Sequence, residues 1–172
     1  MEKENYKKIL SRIKTLMFDI DGVFTDGKVL VLENGEMVRN MYGKDGYALH
    51  LAIKKGYNIV VISGGNNIAV KAALTRAGIK DIYINVKNKL DCFNQYLKEN
   101  SITSNEVLYM GDDLPDYEVM QAAGLAVCPA DSAVEIKEIS LYVSKAKGGE
   151  GCVRDIIEQI MRAQGTWEIS QW

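Results

Sequence analysis

Short apolar runs alternate with segments of helical periodicity along almost the whole chain, and this alternation restricts the possible folds more than any other feature. The runs that end at Phe18, Ile62, Met110 and Cys128 are continuous, as in strands that are buried on both faces. Strands that are separated by helices pair in parallel through right-handed crossovers. We therefore predict an α/β fold with one parallel sheet and helices on both of its faces.

The predicted elements follow one another with few interruptions. Strands are predicted to end near Phe18 and to span residues 58–63, 81–85, 106–110, 125–128 and 139–143. Helices are predicted from residue 45 to the stop at Gly56 and over residues 66–77, 89–100, 114–123 and 153–163, after a short amphipathic lead-in at 6–12. Residues 28–33 and 36–42 are extended segments joined by Asn34-Gly35, a dipeptide that favours tight turns, so a β-hairpin at about 28–42 is predicted.

Length and composition fit a single domain over residues 1–172, with a short C-terminal tail at about 165–172. The chain is 47% hydrophobic, and its net charge of −2 with scattered basic residues gives no general attraction to nucleic acid. Its first residues are polar and no apolar run is long enough to span a bilayer, so we expect a cytoplasmic protein with no membrane partner. Cys92, Cys128 and Cys152 are far apart, which indicates reduced thiols rather than a disulfide framework or a zinc site.

Carboxylates are the main candidates for chemistry, because His50 is the only histidine and no G-x-S-x-G turn supplies a nucleophile. Asp19 and Asp21 directly follow the first strand, and Ser63 follows the second. Lys89 begins a helix, and a later strand ends in Gly111-Asp112-Asp113, with Asp116 close behind. In open α/β sheets ligands bind beyond the carboxyl ends of the strands. These groups are therefore predicted to converge on one site.

The order D-x-D-G-V, an apolar strand ending in Ser-Gly, a downstream Lys and G-D-D-x-x-D resembles the haloacid dehalogenase (HAD) superfamily of phosphohydrolases. The resemblance implies a HAD-like Rossmannoid fold in which Asp19 attacks phosphorus to form an aspartyl-phosphate. It implies that Asp21 is the general acid and base, a role that points to hydrolysis. Mg²⁺ would be held by Asp19, the backbone carbonyl of Asp21, Asp112 and water.

The same resemblance assigns the remaining strand-end residues. Ser63 would hydrogen-bond a phosphoryl oxygen, and Lys89 would offset the negative charge of phosphate and nucleophile. Asp113 and Asp116 would orient metal-bound water and Lys89. Taken one at a time, these residues have simpler interpretations: polar loops, an acidic turn that caps a helix, a solvated lysine, and Ser63 as an N-cap.

Several longer segments closely resemble the 3-deoxy-D-manno-octulosonate (KDO) 8-phosphate phosphatases over residues 16–164. They are Asp19 to Gly27, Lys44 to Tyr47, Ile62 to Gly64, Gly111 to Leu114, Gly148 to Gly151 and the Ala163-Gln164-Gly165 sequence. Neither place where HAD enzymes insert a cap domain is long enough to hold one, so the chain is expected to be capless. An exposed hairpin is a ready surface for subunit pairing, and a homotetramer whose sites are completed by neighbouring subunits is implied.

The family resemblance also implies a set of substrate-binding residues for a sugar-acid phosphate. They are Asp21, Tyr42, Gly43, Lys44, Asp45, Gly46, His50, Gly64 and Lys89. His50 stands where many relatives have Arg, and a helix-surface histidine is the alternative interpretation. Trp167 and Trp172 are candidates for a lid, against the alternative of an unordered tail.

Two departures from the family pattern concern the sugar acid. Gly65 and Ala73 occupy positions where many relatives carry Arg, and Lys71 or Arg76 is a possible substitute. A nine-carbon acid of the sialic acid type is therefore the alternative substrate. A phosphotransferase or mutase and a non-catalytic subunit are more distant alternatives. The glycine run at 148–151 is interpreted either as an anion-binding loop or as a strand-to-helix turn.

Overall fold

The computed structural model describes residues 6–168. Its strands are β1 (Thr15–Phe18), β2 (Leu30–Val31), β3 (Met37–Val38), β4 (Asn58–Ile62), β5 (Asp81–Tyr83), β6 (Val107–Met110), β7 (Leu125–Cys128) and β8 (Tyr142–Val143). Its α-helices are α1 (Tyr6–Leu10), α2 (Asp45–Lys54), α3 (Ile68–Arg76), α4 (Lys89–Asn100), α5 (Tyr117–Ala122), α6 (Val134–Ile139) and α7 (Cys152–Ala163). Among the described helices, none has the length and apolar character needed to cross a membrane.

Six strands form one parallel sheet in the order β5-β4-β1-β6-β7-β8, and the predicted fold class is confirmed. β1 lies between β4 and β6, with Phe18 paired to Val61 on one side and to Met110 on the other. The carboxyl ends of three neighbouring strands therefore meet at one edge. This register places the residues that follow these strands side by side.

Helices cover both faces of the sheet, and a separate apolar core lies between each face and the helices that cover it. Helices α1, α2, α3 and α7 pack on one face, where Leu16 and Phe18 of β1 are buried. Helices α4, α5 and α6 pack on the other face, where Met17 is buried. The alternation of these three side chains between the two cores is the two-residue period of a strand that is buried on both sides.

The hairpin is present, but its regular part is shorter than predicted. β2 and β3 have two residues each, and they pair antiparallel around Gly35, whose φ of +83° suits a tight turn. Most of the apolar side chains on these strands and beside them are exposed, including Leu30, Val31 and Met37. The hairpin stands outside the six-stranded sheet, and residues 6–168 leave these side chains exposed.

The region between β7 and α7 differs from the prediction. The strand expected at 139–143 is present as β8 but has only two residues, and α6, which was not predicted, precedes it. α6 buries only Ile136 completely, so its sequence carries little helical periodicity. The helix expected at 114–123 begins as a 3₁₀ turn at Leu114–Asp116, which contains Pro115.

The end of α7 is tied to the start of the chain by Gln164. Its amide nitrogen donates to the carbonyls of Leu10 and Ile13 at 2.8 and 2.7 Å, and its amide oxygen accepts from Tyr57 at 2.8 Å. Trp167 then packs edge-on against Tyr47 of α2, 6.1 Å between ring centres. Trp167 therefore lies on its own α2 and α7, whereas Trp172, the second lid candidate, lies outside the described residues.

Candidate active site

Asp19 leaves the carboxyl end of β1 and is almost fully buried, with 7% of its surface exposed. Its Oδ2 lies 3.1 Å from the Nζ of Lys89, while its Oδ1 is buried and has no hydrogen-bond partner in the described part of the chain. A buried carboxylate oxygen without a donor is costly, because water no longer solvates it. Within residues 6–168, no side chain or backbone donor thus offsets the charge on that side of Asp19.

Lys89 is the first residue of α4 and is held in place by two features. Asn88 caps the helix, its side chain accepting from the backbone N–H of Asp91. The buried carboxylate of Asp116 accepts from Lys89 Nζ at 2.7 Å and from the hydroxyl of Tyr109 at 3.0 Å. Burial opposes the charge of Lys89, but Asp19 and Asp116 outweigh it and raise the pKa of the lysine. The ammonium group is thus charged and fixed between two carboxylates.

Asp112 follows β6 and faces Asp19 across the edge of the sheet. Its carboxylate lies so close to Gly22 that a Cβ on that residue would overlap it, and Gly22 also has a φ of +81°. Glycine is therefore required at position 22 for two separate reasons. One carboxylate oxygen each from Asp19, Asp112 and Asp116 lies within 4.8 Å of the other two.

The closely spaced carboxylates give this edge of the sheet a negative electrostatic potential. Burial and the neighbouring charge of Asp116 raise the pKa of Asp19 to about 7, despite the opposing effect of Lys89. Burial and the charge of Asp19 likewise raise the pKa of Asp112 to about 8. Hard divalent cations prefer such oxygen ligands. The unpartnered oxygen of Asp19 and the facing Asp112 fit a cation of this kind, whereas the oxygens of Asp116 are already engaged by Lys89, Tyr109 and the N–H of Asp112.

Asp21 lies two residues beyond Asp19, and both of its carboxylate oxygens accept hydrogen bonds. Arg39, which follows β3 in the hairpin, donates through Nε to Oδ1 at 2.9 Å. Asn67, which precedes α3, donates to Oδ2 at 2.8 Å. Thr25 makes a longer contact with Oδ1 at 3.4 Å. Three separate segments thus fix the orientation of this carboxylate.

Ser63 follows β4 and is buried, its Oγ accepting from the backbone N–H of Gly65 at 3.2 Å. The N-cap of α3 is Asn67, so the structure places Ser63 outside the capping position. A cavity of about 310 Å³ opens above these residues. It is lined by Asp19, Asp21, Gly27, Ser63, Gly64, Gly65, Lys89, Asp112, Asp113, Pro115 and Asp116. The residues predicted for phosphoryl transfer therefore share one cavity.

Residues 62–156 match the family model of haloacid dehalogenase-like hydrolases, which covers more than half of the chain. The 3-deoxy-D-manno-octulosonate 8-phosphate phosphatase of Escherichia coli K12 is 33% identical over 153 residues, which are 89% of this chain and 81% of that protein. The chain belongs to the haloacid dehalogenase-like hydrolases. Within them it belongs to the KDO 8-phosphate phosphatase family.

Solved structures of similar proteins agree with this family assignment. The KDO 8-phosphate phosphatase of Yersinia pestis superposes with a TM-score of 0.91 at 29% identity, covering 95% of this chain and 88% of that one. The enzyme of Moraxella catarrhalis, solved in complex with a magnesium ion, a phosphate ion and KDO, gives a TM-score of 0.90 at 27% identity. That match covers 92% of this chain and 91% of the other.

Within one chain of this hydrolase, the segment that is expected to bind the sugar lies apart from the cavity that holds Asp19. Tyr42 and Lys44 line a separate hollow of about 440 Å³ beside Gly151 and Arg154. Gly43 and Gly46 are at the surface around the start of α2, and His50 is exposed on that helix. None of these residues lines the cavity that holds Asp19. Their contact with substrate stays a prediction that requires a neighbouring subunit.

Asp45 has a structural role in this hydrolase, because it connects two helices. It is buried at the start of α2, and its Oδ1 accepts from the backbone N–H of Arg154 at 3.0 Å. Arg154 is in the first turn of α7, so Asp45 caps that helix from outside its own sequence. The carboxylate thus joins α2 to α7.

In this hydrolase, the backbone of the glycine run before α7 packs against the backbone of the loop that follows β1. A Cβ on Gly148 would overlap the carbonyl of Gly22, and the N–H of Gly149 donates to the carbonyl of Val23 at 3.0 Å. The N–H of Gly148 donates to Asp131. These amides are already engaged, so the structure favours the strand-to-helix turn over the anion-binding loop.

Arg39 and Asn67 were not identified from the sequence as residues of the site. They are 18 and 46 positions away from Asp21 along the chain, and no motif accompanies either of them. Asn67 could have been suspected from its place before a helix, where Asn is common. No comparable sequence feature pointed to Arg39 as a site residue, and the hairpin before it was interpreted as a subunit contact.

Proposed function

We propose that this chain is an Mg²⁺-dependent phosphatase that hydrolyses KDO 8-phosphate to KDO and phosphate in lipopolysaccharide biosynthesis. The observation that carries the proposal is the convergence of Asp19 and Asp112, which follow the neighbouring parallel strands β1 and β6, with Lys89, which begins α4. The substrate is taken from the KDO 8-phosphate phosphatases that resemble the chain over most of its length.

In the proposed first half-reaction, a carboxylate oxygen of Asp19 attacks phosphorus. The bond from phosphorus to the sugar oxygen breaks, and Asp21 gives its proton to that oxygen. In the second half-reaction, water attacks the aspartyl-phosphate and gives a proton to Asp21. Phosphate leaves, and both carboxyl groups return to their starting states.

The remaining site residues are proposed to bind and orient the phosphoryl group. Lys89 offsets its negative charge together with that of Asp19, and Ser63 donates a hydrogen bond to one of its oxygens. Asp19, the backbone carbonyl of Asp21 and Asp112 would hold Mg²⁺, which when bound neutralises charge on the transferring group. Asp116 keeps Lys89 in place, and Asp113 lies at the cavity to orient water.

Substrate recognition is proposed to involve a homotetramer. The exposed apolar side chains of the hairpin supply a surface for subunit pairing. Such pairing would allow Tyr42, Lys44 and His50, which lie outside the cavity of their own chain, to approach the cavity of a neighbour. Gly64 and Lys89 would meet the substrate in their own chain.

A nine-carbon sugar acid of the sialic acid type is the second candidate substrate. A second cavity, of about 680 Å³, is lined by Ala73 among other residues. Alanine there leaves room that a longer side chain would occupy. The larger acid is therefore a reasonable test compound beside KDO 8-phosphate.

A substrate panel tests the proposal directly. Phosphate release would be measured from eight- and nine-carbon sugar-acid phosphates and from simple sugar phosphates, with Mg²⁺ or with EDTA. We expect the fastest turnover with KDO 8-phosphate, and loss of turnover in EDTA. The Asp19→Asn variant should retain its fold by circular dichroism and lose activity by about 10⁴-fold or more. No metal-dependent release from any sugar-acid phosphate would reject the proposal.

Isotope labelling separates hydrolysis from transfer. With H₂¹⁸O as solvent, a phosphatase incorporates one ¹⁸O atom into each released phosphate. A phosphotransferase or mutase passes the group to a sugar acceptor and releases no labelled phosphate. A wild-type chain without activity on the whole panel would favour a non-catalytic role.

A further inference from the structure

Arg39 reaches the site from an element that is otherwise exposed. It follows β3, whose two residues are both exposed, yet only 13% of the Arg39 side chain is exposed. Its Nε donates to Asp21 Oδ1, and its Nη1 donates to the carbonyl of Met37 at 3.3 Å. An isolated bridge between Thr25 and Met41 holds the base of the hairpin against the loop after β1. The fold therefore brings the guanidinium beside Asp21.

The contact with Arg39 occupies an atom that the proposed reaction requires. Asp21 must present an oxygen to the leaving group, but Oδ1 accepts from Arg39 and Oδ2 accepts from Asn67. Asn67 is 5% exposed and is the N-cap residue of α3, so it has little freedom to move. Arg39 is a long side chain on a short hairpin. Of the two donors, Arg39 is the one that can leave.

Arg39 also faces a space that a sugar acid could fill. The cavity of about 680 Å³ is lined by Arg39, Asn67 and Ala73, with residues of the hairpin and of α3. Among the described residues that line it, Arg39 is the only cation. Asn67, which lines this space, donates to Asp21, which lines the cavity of about 310 Å³ that holds Asp19, so the two cavities are adjacent. The far end of a phosphate ester bound at Asp19 would need to reach only the neighbouring cavity to approach Arg39.

We propose that Arg39 determines substrate specificity by exchanging the carboxylate of Asp21 for the carboxylate of the sugar acid. A guanidinium binds carboxylates in a planar, two-pronged geometry, whereas Asp21 is bound through Nε alone. Binding of the correct substrate therefore releases Oδ1 of Asp21 for the reaction. A phosphate ester without a carboxylate leaves Arg39 on Asp21. This inference rests on the proposed function, because it requires a sugar-acid substrate.

The test compares two kinds of substrate with the Arg39→Ala variant and full-length protein in Mg²⁺. The acids are KDO 8-phosphate and a nine-carbon sugar-acid 9-phosphate, and the ester without a carboxylate is arabinose 5-phosphate. We expect kcat/KM for the preferred acid to fall about 100-fold, mainly through KM, because one charged hydrogen-bonding partner is lost. For arabinose 5-phosphate we expect kcat/KM to stay the same or to rise.

Two further variants keep the result interpretable. Arg39→Lys retains the charge without the planar fork and should restore part of the discrimination between acid and ester. Lys28→Ala removes an exposed cation at the start of the same hairpin and should behave as the wild type. If Arg39→Ala does not fold, Arg39→Gln replaces it in the same comparison. Melting temperatures of all variants would be measured in parallel.

The outcomes separate this inference from the proposed function. An equal fall for acid and ester would show that Arg39 only holds Asp21 in position, and no fall for either would show that it has no role. Either result overturns the inference while leaving the phosphatase intact. A wild type that hydrolyses arabinose 5-phosphate as well as both acids would reject the proposed substrate class, and the inference with it.

Discussion

At the scale of single residues, Asp116 affects the site through a lysine. Asp116→Asn should lower kcat about 10- to 100-fold with little change in KM, because Lys89 loses the buried charge that orients it. Tyr109→Phe is the matched control, since it removes another donor to the same carboxylate and leaves the lysine contact in place. Steady-state kinetics with KDO 8-phosphate would measure both. A kcat equal to that of the wild type in Asp116→Asn would contradict this role.

Asp45 should give the folded state a pH dependence of its own. Burial raises its pKa from 3.8 to about 6, although the N–H and the charge of Arg154 act in the opposite direction. The folded protein therefore binds this proton more tightly than the unfolded chain. The free energy of unfolding should fall as pH rises from about 4 to about 6, by at most about 3 kcal/mol.

The Asp45→Asn variant isolates this effect, because Asn keeps an oxygen for the N–H of Arg154 and cannot ionise. Urea unfolding of both proteins would be measured from pH 4 to pH 7. The wild type should lose stability relative to the variant across this interval. A constant difference between the two proteins would show that Asp45 does not titrate in the folded state.

At the scale of elements, Gln164 joins α7 to the last residue of α1 and to the loop that leads to β1. Gln164→Ala should lower the free energy of unfolding by about 2 to 3 kcal/mol, since the carbonyls of Leu10 and Ile13 and the hydroxyl of Tyr57 lose a partner. Gln95→Ala, on the exposed face of α4, removes a single surface contact with Glu99. It should cost less than about 0.5 kcal/mol in the same urea titration. Similar losses in the two variants would mean that the bonds of Gln164 are replaced by water.

The sequence predicted elements well where periodicity was strong and poorly where it was weak. α4 was predicted with both of its ends, because apolar residues at helical spacing fall between Asn88 and Ser101. α6 was missed because one buried side chain, Ile136, sets no period. That Asp19 and Lys89 lie in one site was predictable, because a parallel sheet brings the segments beyond the carboxyl ends of its strands to one edge. The contact between Arg39 and Asp21 was not, because it depends on how a hairpin outside the sheet folds back.

At the scale of the whole molecule, the hairpin is proposed to hold subunits together. Val31→Asp should reduce the mass of the particle, because a charge would be buried at each interface. Val134→Asp is a closely matched control: Val31 is 66% exposed and Val134 is 67% exposed, but Val134 is on α6, away from the hairpin. Light scattering after gel filtration would measure the mass of both. An unchanged mass in Val31→Asp would place the subunit contact elsewhere.

The central position of β1 has a consequence for how such proteins diverge. The groups proposed to cleave phosphate follow β1, β4 and β6, whose pairing fixes them to one another, or begin the helix beside them. Arg39 belongs to a hairpin whose strands have two residues each and which takes no part in that pairing. Mutations in the hairpin strands therefore change no residue that pairs in the six-stranded sheet. If Arg39 selects the sugar acid as proposed, descendants of one ancestor can acquire new sugar preferences while inheriting the same reaction.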